Sequence, residues 1–442
     1  MQALLESISL PTNSEPSKIV ERLEFLMNEA TNKPDLRISP LNSTELVVLD
    51  TSSSKDRTSW VTKGLELVSQ SRVAVVLLAG GLGTRLGSSQ PKGFYDINLL
   101  SHKSLFQLFS ERIVSIQKNA EHVFHNRCSL PLFVMTNIHS NSEIEQFFVN
   151  NQYFGLKSSD VSFFPQPNAP LVSFEGTHHK SVDGVPLSAP NGNGGVYEAL
   201  VEHGILARME QTGVEYIHLV GIDNAMCVPA DPVFVGLCAN HKCDVGNKVV
   251  RKRAPEERVG VFCWKSYDGS TEKQYGITEY SEMTPAETSL RNADGSLLFS
   301  SANIVSHCLS MPFLRQCCER QAFTEYHISK KTTSFECEGV EVPGRCYKLE
   351  RFIFDTFSRA QRPLNLEVSR EDSFSPVKNR EGSDSPQTAR EMLYAMWKQW
   401  LETSGGIVDE GIIVEISPLV STDGRELEKY KGQQFSENII LE

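Results

Sequence analysis

From Arg72 to Gly80 the chain reads RVAVVLLAG, an apolar run without polar alternation, the pattern of a strand covered on both faces. The segment LFQLFSERIVSIQK changes the period, placing Leu105, Phe109, Ile113 and Ile116 along one helical face. LPLFVMTN then reads as a strand, NSEIEQFFVNN as a helix and VSFFPQ as a short strand. GGVYEALVEHGILARMEQTG reads as one helix ending at Gly213, and VEYIHLVGIDNA as the next strand. This β-α-β-α succession predicts an open α/β sheet with helices on both faces. Ligands of such sheets bind beyond the carboxyl ends of the strands, where the glycines after Leu78 and Asp223 both fall.

The flanks have a different texture. Ile19, Leu23 and Leu26 share a helical face behind Pro16, and the polar DTSSSKDRTS reads as a linker, so residues 1–59 are expected to form a small helical segment. After residue 240, NKVVRKR, VGVFCWK, YGITEYS and LLFSSANIVSHCLSM read as strands with few helices, a mixed β extension closing over the site. The main α/β domain is taken as residues 60–365. Residues 366–442 form a C-terminal domain: polar SREDSFSPVKNREGSDSPQTAR, a helix in AREMLYAMWKQWLE, and the strand-rich GIIVEISPLVS. There is no internal repeat.

Composition narrows the classes of function. A chain of 442 residues holds two or three domains, and its 40% hydrophobic and 22% charged content is that of a water-soluble globular protein. No apolar run reaches the ~20 residues of a membrane span. The opening MQALLESISLPTNSEP lacks the basic and long apolar regions of a secretory signal, and ENIILE matches no lipidation or peroxisomal address. A net charge of −12 argues against a nucleic-acid or membrane-surface binder. Ten scattered cysteines, without C-x-x-C or zinc spacing, suit reduced thiols in a cytoplasmic setting.

Against that acidic background the cations of LAGGLGTRLGSSQPKG stand out. Gly80, Gly81 and Gly83 occupy four positions, with Arg85 and Lys92 close behind. The P-loop pattern fails, because the fifth residue after each glycine is Arg85, Leu86 or Ser88. The dinucleotide fingerprint fails at Leu86, which disfavours a nicotinamide dehydrogenase. What remains is a turn whose backbone N–H groups can face phosphates, with two cations to neutralise them. A tight strand-to-helix turn with solvated basic residues is the plainer alternative.

LAGGLGTRLGSSQPKG, APNGNGGVYEAL, GIDNA, SSANIVSH, ERFIFD and FSPVKN stand in the order found in eukaryotic UDP-N-acetylhexosamine pyrophosphorylases. The chain resembles that family from about Trp60 to Trp400, with a weaker echo in EISPLVS. It departs at Leu82, where glutamine is commoner, and at Asn191, where aspartate is. The resemblance implies a Rossmann-like nucleotidyltransferase fold with a mixed central sheet, a small N-terminal helical unit and a small C-terminal α/β domain. It implies reversible synthesis of UDP-N-acetylglucosamine and pyrophosphate from UTP and N-acetylglucosamine 1-phosphate, with Mg²⁺, or Mn²⁺ in its place.

The sugar-phosphate oxygen attacking the α-phosphorus is already an anion, so charge neutralisation rather than a general base is the chemical need. On the resemblance, Arg85 and Lys92 hold the triphosphate over Gly80, Gly81 and Gly83, and Lys378 approaches from the C-terminal side. Asp223, ending a nearly apolar strand, would carry the metal. Gln166, Gly192 and Asn193 match the uracil-binding positions. Gly260, Glu279, Tyr280, Asn303, Phe352 and Phe354 match the sugar pocket, the two phenylalanines sharing one side of a strand. His307 is expected to be packed rather than catalytic. Two rival readings remain: a uridylyltransferase for glucose 1-phosphate, and a nucleotide-sugar sensor without turnover.

Overall fold

A computed structural model describes residues 15–31, 36–176, 187–267, 272–319, 326–337 and 340–442. The first 14 residues, read above for a signal sequence, lie outside them.

Eleven strands among the described residues make the main sheet. In chain order they are β1 (Leu36–Ser39), β2 (Leu46–Val48), β3 (Val73–Leu78), β4 (Leu132–Thr136), β5 (Val161–Pro165) and β6 (Tyr216–Gly221). They continue with β7 (Val245–Arg251), β8 (Val261–Tyr267), β9 (Gln274–Thr278), β10 (Ser301–Ser310) and β11 (Pro363–Glu367). The spatial order is β2-β11-β7-β10-β6-β3-β4-β5, with β8 joining β10 to β1 and β9. β3 is parallel to β4 and β6, and β4 to β5, whereas β10 runs antiparallel to both β6 and β7.

The unbroken apolar run in β3 follows from this position. Val73, Val75 and Leu77 pack into one core and Ala74 and Val76 into the other, so both faces of the strand are dry. The first core holds Leu105, Phe109, Ile113 and Ile116 of the helix Leu105–Phe124, as their spacing predicts. That helix starts at Ser104, whose side chain accepts the Gln107 N–H.

Several local readings are corrected. The single helix expected to end at Gly213 is two, Val196–Glu202 and Ile205–Gln211, broken where Gly204 takes φ +68°. Between the opening helix Pro16–Thr31 and the helix Ser54–Ser69, residues 36–48 supply β1 and β2 to the sheet. Both strands are too short to show a period of their own. The later strands are not an appended extension either: β7 and β10 lie inside the sheet beside β6. What does stand apart is the hairpin His327–Cys337 and Val340–Glu350, paired with Val172–Ser173. Ile19 and Leu23 of the opening helix pack beneath it on Tyr347 and Leu349.

Toward the C-terminus, the helix Pro386–Thr403 buries Ala389, Leu393, Trp397 and Leu401 in the same core as the Leu105–Phe124 helix. It thereby holds the preceding FSPVKN segment against the carboxyl end of the sheet.

Candidate active site

The carboxyl ends of β3, β4 and β6 open into a cavity of about 320 Å³. Of the residues singled out in the sequence, Gly80, Gly81, Lys92, Gln166, Gly192, Asn193 and Asp223 line it. A second cavity, of about 210 Å³, is lined by Gly83, Arg85, Lys92 and Lys378 among others. Lys92 borders both, so the glycine turn, the metal candidate and the three cations form one continuous site.

The turn is shaped by its own backbone. Gly83 N–H bonds to Gln90 O at 3.0 Å and Lys92 N–H to Gly81 O at 3.2 Å, folding the loop back on itself. A Cβ on Gly80 would come within 2.5 Å of the Gln166 amide nitrogen and 3.0 Å of the Thr136 carbonyl, so a larger residue there must displace the Gln166 side chain. Gly81 has nothing within 4 Å of its Cβ position: its bare face is open to a ligand.

Asp223 and Lys378 are brought together by a strand-like crossing of two loops. Val377 N–H donates to Asp223 O at 2.8 Å, Ala225 N–H to Ser375 O at 3.2 Å, and Asn224 bridges Pro376. Burial holds the Lys92 ammonium below the ordinary lysine range. The Asp223 carboxylate opposes that shift, and the Lys378 and Arg85 cations reinforce it. Arg85 itself is exposed at the rim.

The positions matched to the nucleotide base are equally specific. Gly192 takes φ +89°, and a Cβ there would meet the Arg351 carbonyl at 2.3 Å. Asn193 Oδ1 accepts the Ile353 N–H at 3.1 Å, and Arg351 N–H donates to Asn191 O at 2.7 Å. These bonds tie the NGNGG loop to the ERFIFD segment.

The positions matched to a sugar pocket lie outside the lining of both cavities and gather beside them. Asn303 N–H donates to Gly260 O at 2.9 Å, and a Cβ on Gly260 would meet Glu279 Oε1 at 2.7 Å. Phe352 and Phe354 do not share a strand; the segment from Ile353 to Arg359 is a 3₁₀ helix. The reason is Asp355, whose carboxylate accepts the Phe352 N–H at 2.7 Å and turns the chain. The two rings still stack, with centroids 5.2 Å apart, and His327 lies 4.3 Å from Phe352. Burial raises the Glu279 carboxyl, with repulsion from Glu282 next; His327 and Lys265 oppose it. Tyr280 is exposed.

Three features escaped the sequence reading. Lys348 and Glu350 line the larger cavity from the hairpin, joined at 2.8 Å. Their alternation with buried Tyr347 and Leu349 in YKLE was the available signal. Val305, also lining the cavity, has φ +55°, an uncommon conformation for a β-branched residue. His327 and Asp355, paired at 2.8 Å, carried no local signal. His307 is buried and bonded to Asn247 Oδ1 at 2.7 Å, and burial pushes its pKa down to about 3, leaving it neutral. Among the described residues, no group of three or more His, Cys, Asp or Glu could hold a metal by itself.

The UTP–glucose-1-phosphate uridylyltransferase family matches residues 23–435. The UDP-N-acetylglucosamine pyrophosphorylase of Saccharomyces cerevisiae is 36% identical, the match covering 99% of this chain and 93% of the yeast protein. The human UDP-N-acetylhexosamine pyrophosphorylase-like protein 1 is 38% identical over 92% of this chain and 85% of its own length. The crystal structure of the UDP-N-acetylglucosamine pyrophosphorylase of Trypanosoma brucei superposes with a TM-score of 0.81 at 29% identity, covering 97% of this chain and 90% of that one. The mixed sheet, with its glycine turn and cations at the carboxyl edge, is thus a nucleotidyltransferase fold, and this chain belongs to the uridylyltransferase family, on its UDP-N-acetylhexosamine pyrophosphorylase branch.

Proposed function

We propose that the protein transfers uridylyl from UTP to N-acetylglucosamine 1-phosphate, forming UDP-N-acetylglucosamine and pyrophosphate. The observation that carries this reading is Lys92, which borders both cavities and feels Asp223, Lys378 and Arg85 around it. In the reaction a sugar-phosphate oxygen bonds to the α-phosphorus as the bond to the bridging β-phosphate oxygen breaks. Negative charge gathers on the departing pyrophosphate, and Lys92, Lys378 and Arg85 would neutralise it. No proton has to move, which agrees with a neutral, enclosed His307.

Asp223 would hold Mg²⁺, or Mn²⁺, which would screen the phosphate charges when bound. With Glu350 on the cavity wall engaged by Lys348, Asp223 offers one carboxylate to a cation that would take its remaining ligands from substrate and water. Gln166, Gly192 and Asn193 would face the uracil. Asn303 Oδ1 already accepts the Val305 N–H at 2.9 Å, and its Nδ2, without an acceptor among the described residues, would donate to the acetyl carbonyl. Phe352 and Phe354 would pack on the sugar side. A cytoplasmic, reducing setting fits, since the nine cysteines whose side chains are described are free thiols.

The deciding experiment is pyrophosphate release from UTP with a panel of sugar 1-phosphates. N-acetylglucosamine 1-phosphate is expected to be preferred over glucose 1-phosphate by roughly 5-fold or more, the effect of one neutral hydrogen bond. Equal kcat/KM for the two sugars moves the chain to glucose chemistry. UTP binding with no turnover on any sugar makes it a sensor.

A further inference from the structure

Behind the segment that carries Lys378 lies another cavity, of about 410 Å³, lined by Arg253, Arg370, Phe374, Pro376, Asp384 and Glu391 among others. It shares no lining residue with the two cavities of the active site. Arg370 is 8% exposed, and its guanidinium bonds to Glu257 Oε1 at 2.8 Å and to Arg251 O at 3.0 Å. Its buried Nε–H finds no acceptor among the described residues. Arg253 is exposed on the same wall, and its charge acts on Arg370 in the direction of repulsion. Glu257 pairs with the Arg370 guanidinium and takes the main-chain N–H of Arg253 on its other oxygen, and the Asp384 carboxylate adds a weaker attraction, yet Arg370 keeps one donor unspent in a desolvated place. An enclosed donor of that kind is costly unless an acceptor completes it.

We infer that this cavity is an anion site of the phosphate class, with Arg253 and Arg370 as its cationic wall. Asp384 and Glu391, also in its lining, limit the charge it tolerates and offer acceptors to hydroxyl groups. A small phosphate ester of sugar-phosphate size therefore suits it better than a polyphosphate.

The occupant would bear on catalysis through Phe374. The Arg370 guanidinium lies 5.4 Å from the centre of that ring and the Lys378 ammonium 5.8 Å, so two cations share one aromatic side chain. Asp384, also on the cavity wall, accepts the Lys378 N–H at 2.7 Å through its carbonyl. An anion that draws Arg370 outward would shift Phe374 and the backbone that aims Lys378.

The test is isothermal titration of the full-length protein with inorganic phosphate, while UDP-N-acetylglucosamine saturates the nucleotide cavity. Binding is expected, weakened about tenfold or more in Arg253→Gln, the loss of one charged hydrogen bond. Among the described residues the Arg253 side chain makes no hydrogen bond or ion pair, so this variant is informative where Arg370→Gln is not. Glucose 6-phosphate in a parallel titration separates the sources: tighter binding than phosphate assigns an ester, and equal binding assigns phosphate alone. Absence of binding, or binding indifferent to Arg253→Gln (an adventitious ion only), overturns the site. A UTP affinity that phosphate changes in the wild type and not in Arg253→Gln supports the link to Lys378; an identical change in both breaks it. Only the blocking nucleotide sugar rests on the proposed function. Its failure to bind counts against that function, and the anion site is then judged by the Arg253 dependence alone.

Discussion

The phosphate side and the aromatic side of this site are built by opposite means. On the phosphate side, Gly80, Gly81, Gly83, Arg85 and Lys92 come from a single loop, and its backbone bonds to itself. On the aromatic side, Gly260, Glu279, Asn303, His327 and Phe352 come from separate strands and turns, tied by single contacts across the fold. A loop that closes on itself positions charge wherever the fold puts it. A pocket collected from distant strands exists only once the sheet has formed, and small shifts of register alter it. The first arrangement suits chemistry shared by many nucleotide transfers, and the second suits discrimination between similar sugars.

The contrast can be broken most sharply at Lys92. Lys92→Ala is expected to lower kcat by about 10²–10³, because it removes a cation from a desolvated position between phosphates. Arg85→Ala, at the solvent-exposed rim, should lose distinctly less. Equal losses in steady-state assays would show that depth does not govern the phosphate side.

Next come paired glycine substitutions. Gly80→Ala drives a methyl into the Gln166 amide and the Thr136 carbonyl, at an overpacking cost of ~1–3 kcal/mol that should appear in both Tm and UTP affinity. Gly81→Ala meets no protein atom, so Tm should hold while UTP affinity alone falls. A lowered Tm in Gly81→Ala would remove the assignment of its open face to a ligand.

On the aromatic side, Asn303→Ala is expected to narrow the preference for the acetylated sugar by roughly 5- to 150-fold, with UTP affinity unchanged. An undiminished preference would place acetyl recognition on other residues.

The finest test uses pH. Activity that needs charged Lys92 should fall as pH rises through its lowered pKa, and Asp223 is what holds that pKa up against burial. In Asp223→Asn the alkaline fall should therefore begin at lower pH, alongside a steeper Mg²⁺ requirement. An unchanged alkaline limb and an unchanged Mg²⁺ titration would separate Asp223 from both roles. The linked stability effect has the opposite sign. A lysine whose folded pKa is depressed destabilises the fold while charged, and the penalty fades as pH climbs past the folded and then the unfolded value. Lys92→Met should thus raise Tm slightly at neutral pH, with the gain vanishing in alkali.

The asymmetry between the two sides also explains what could be read without coordinates. The strand RVAVVLLAG, the face of Leu105, Phe109, Ile113 and Ile116, and the glycine turn were legible because each signal is complete within a few residues. Lys378 was marked only by its resemblance to a family motif, since nothing in FSPVKN itself says that it will lie against Lys92. Phe352 and Phe354 were placed on one side of a strand, but Asp355 turns that segment into a 3₁₀ helix, and the stacking of the two rings follows from the turn. Lys348 and Glu350 were missed because a charged position on a two-sided hairpin looks the same whether it faces water or a cavity.

By itself, the amino-acid order determined the alternation of strand and helix and the anion-facing turn, because hydrophobic period and glycine conformation act over one or two turns of chain. Tertiary structure alone decided that β10 enters antiparallel between β6 and β7, and that the loops of Asp223 and Val377 cross. It also decided which cations share a cavity. Those outcomes depend on contacts between residues fifty or more positions apart, where the choice among competing pairings is made by the packing of the whole sheet and leaves no local pattern.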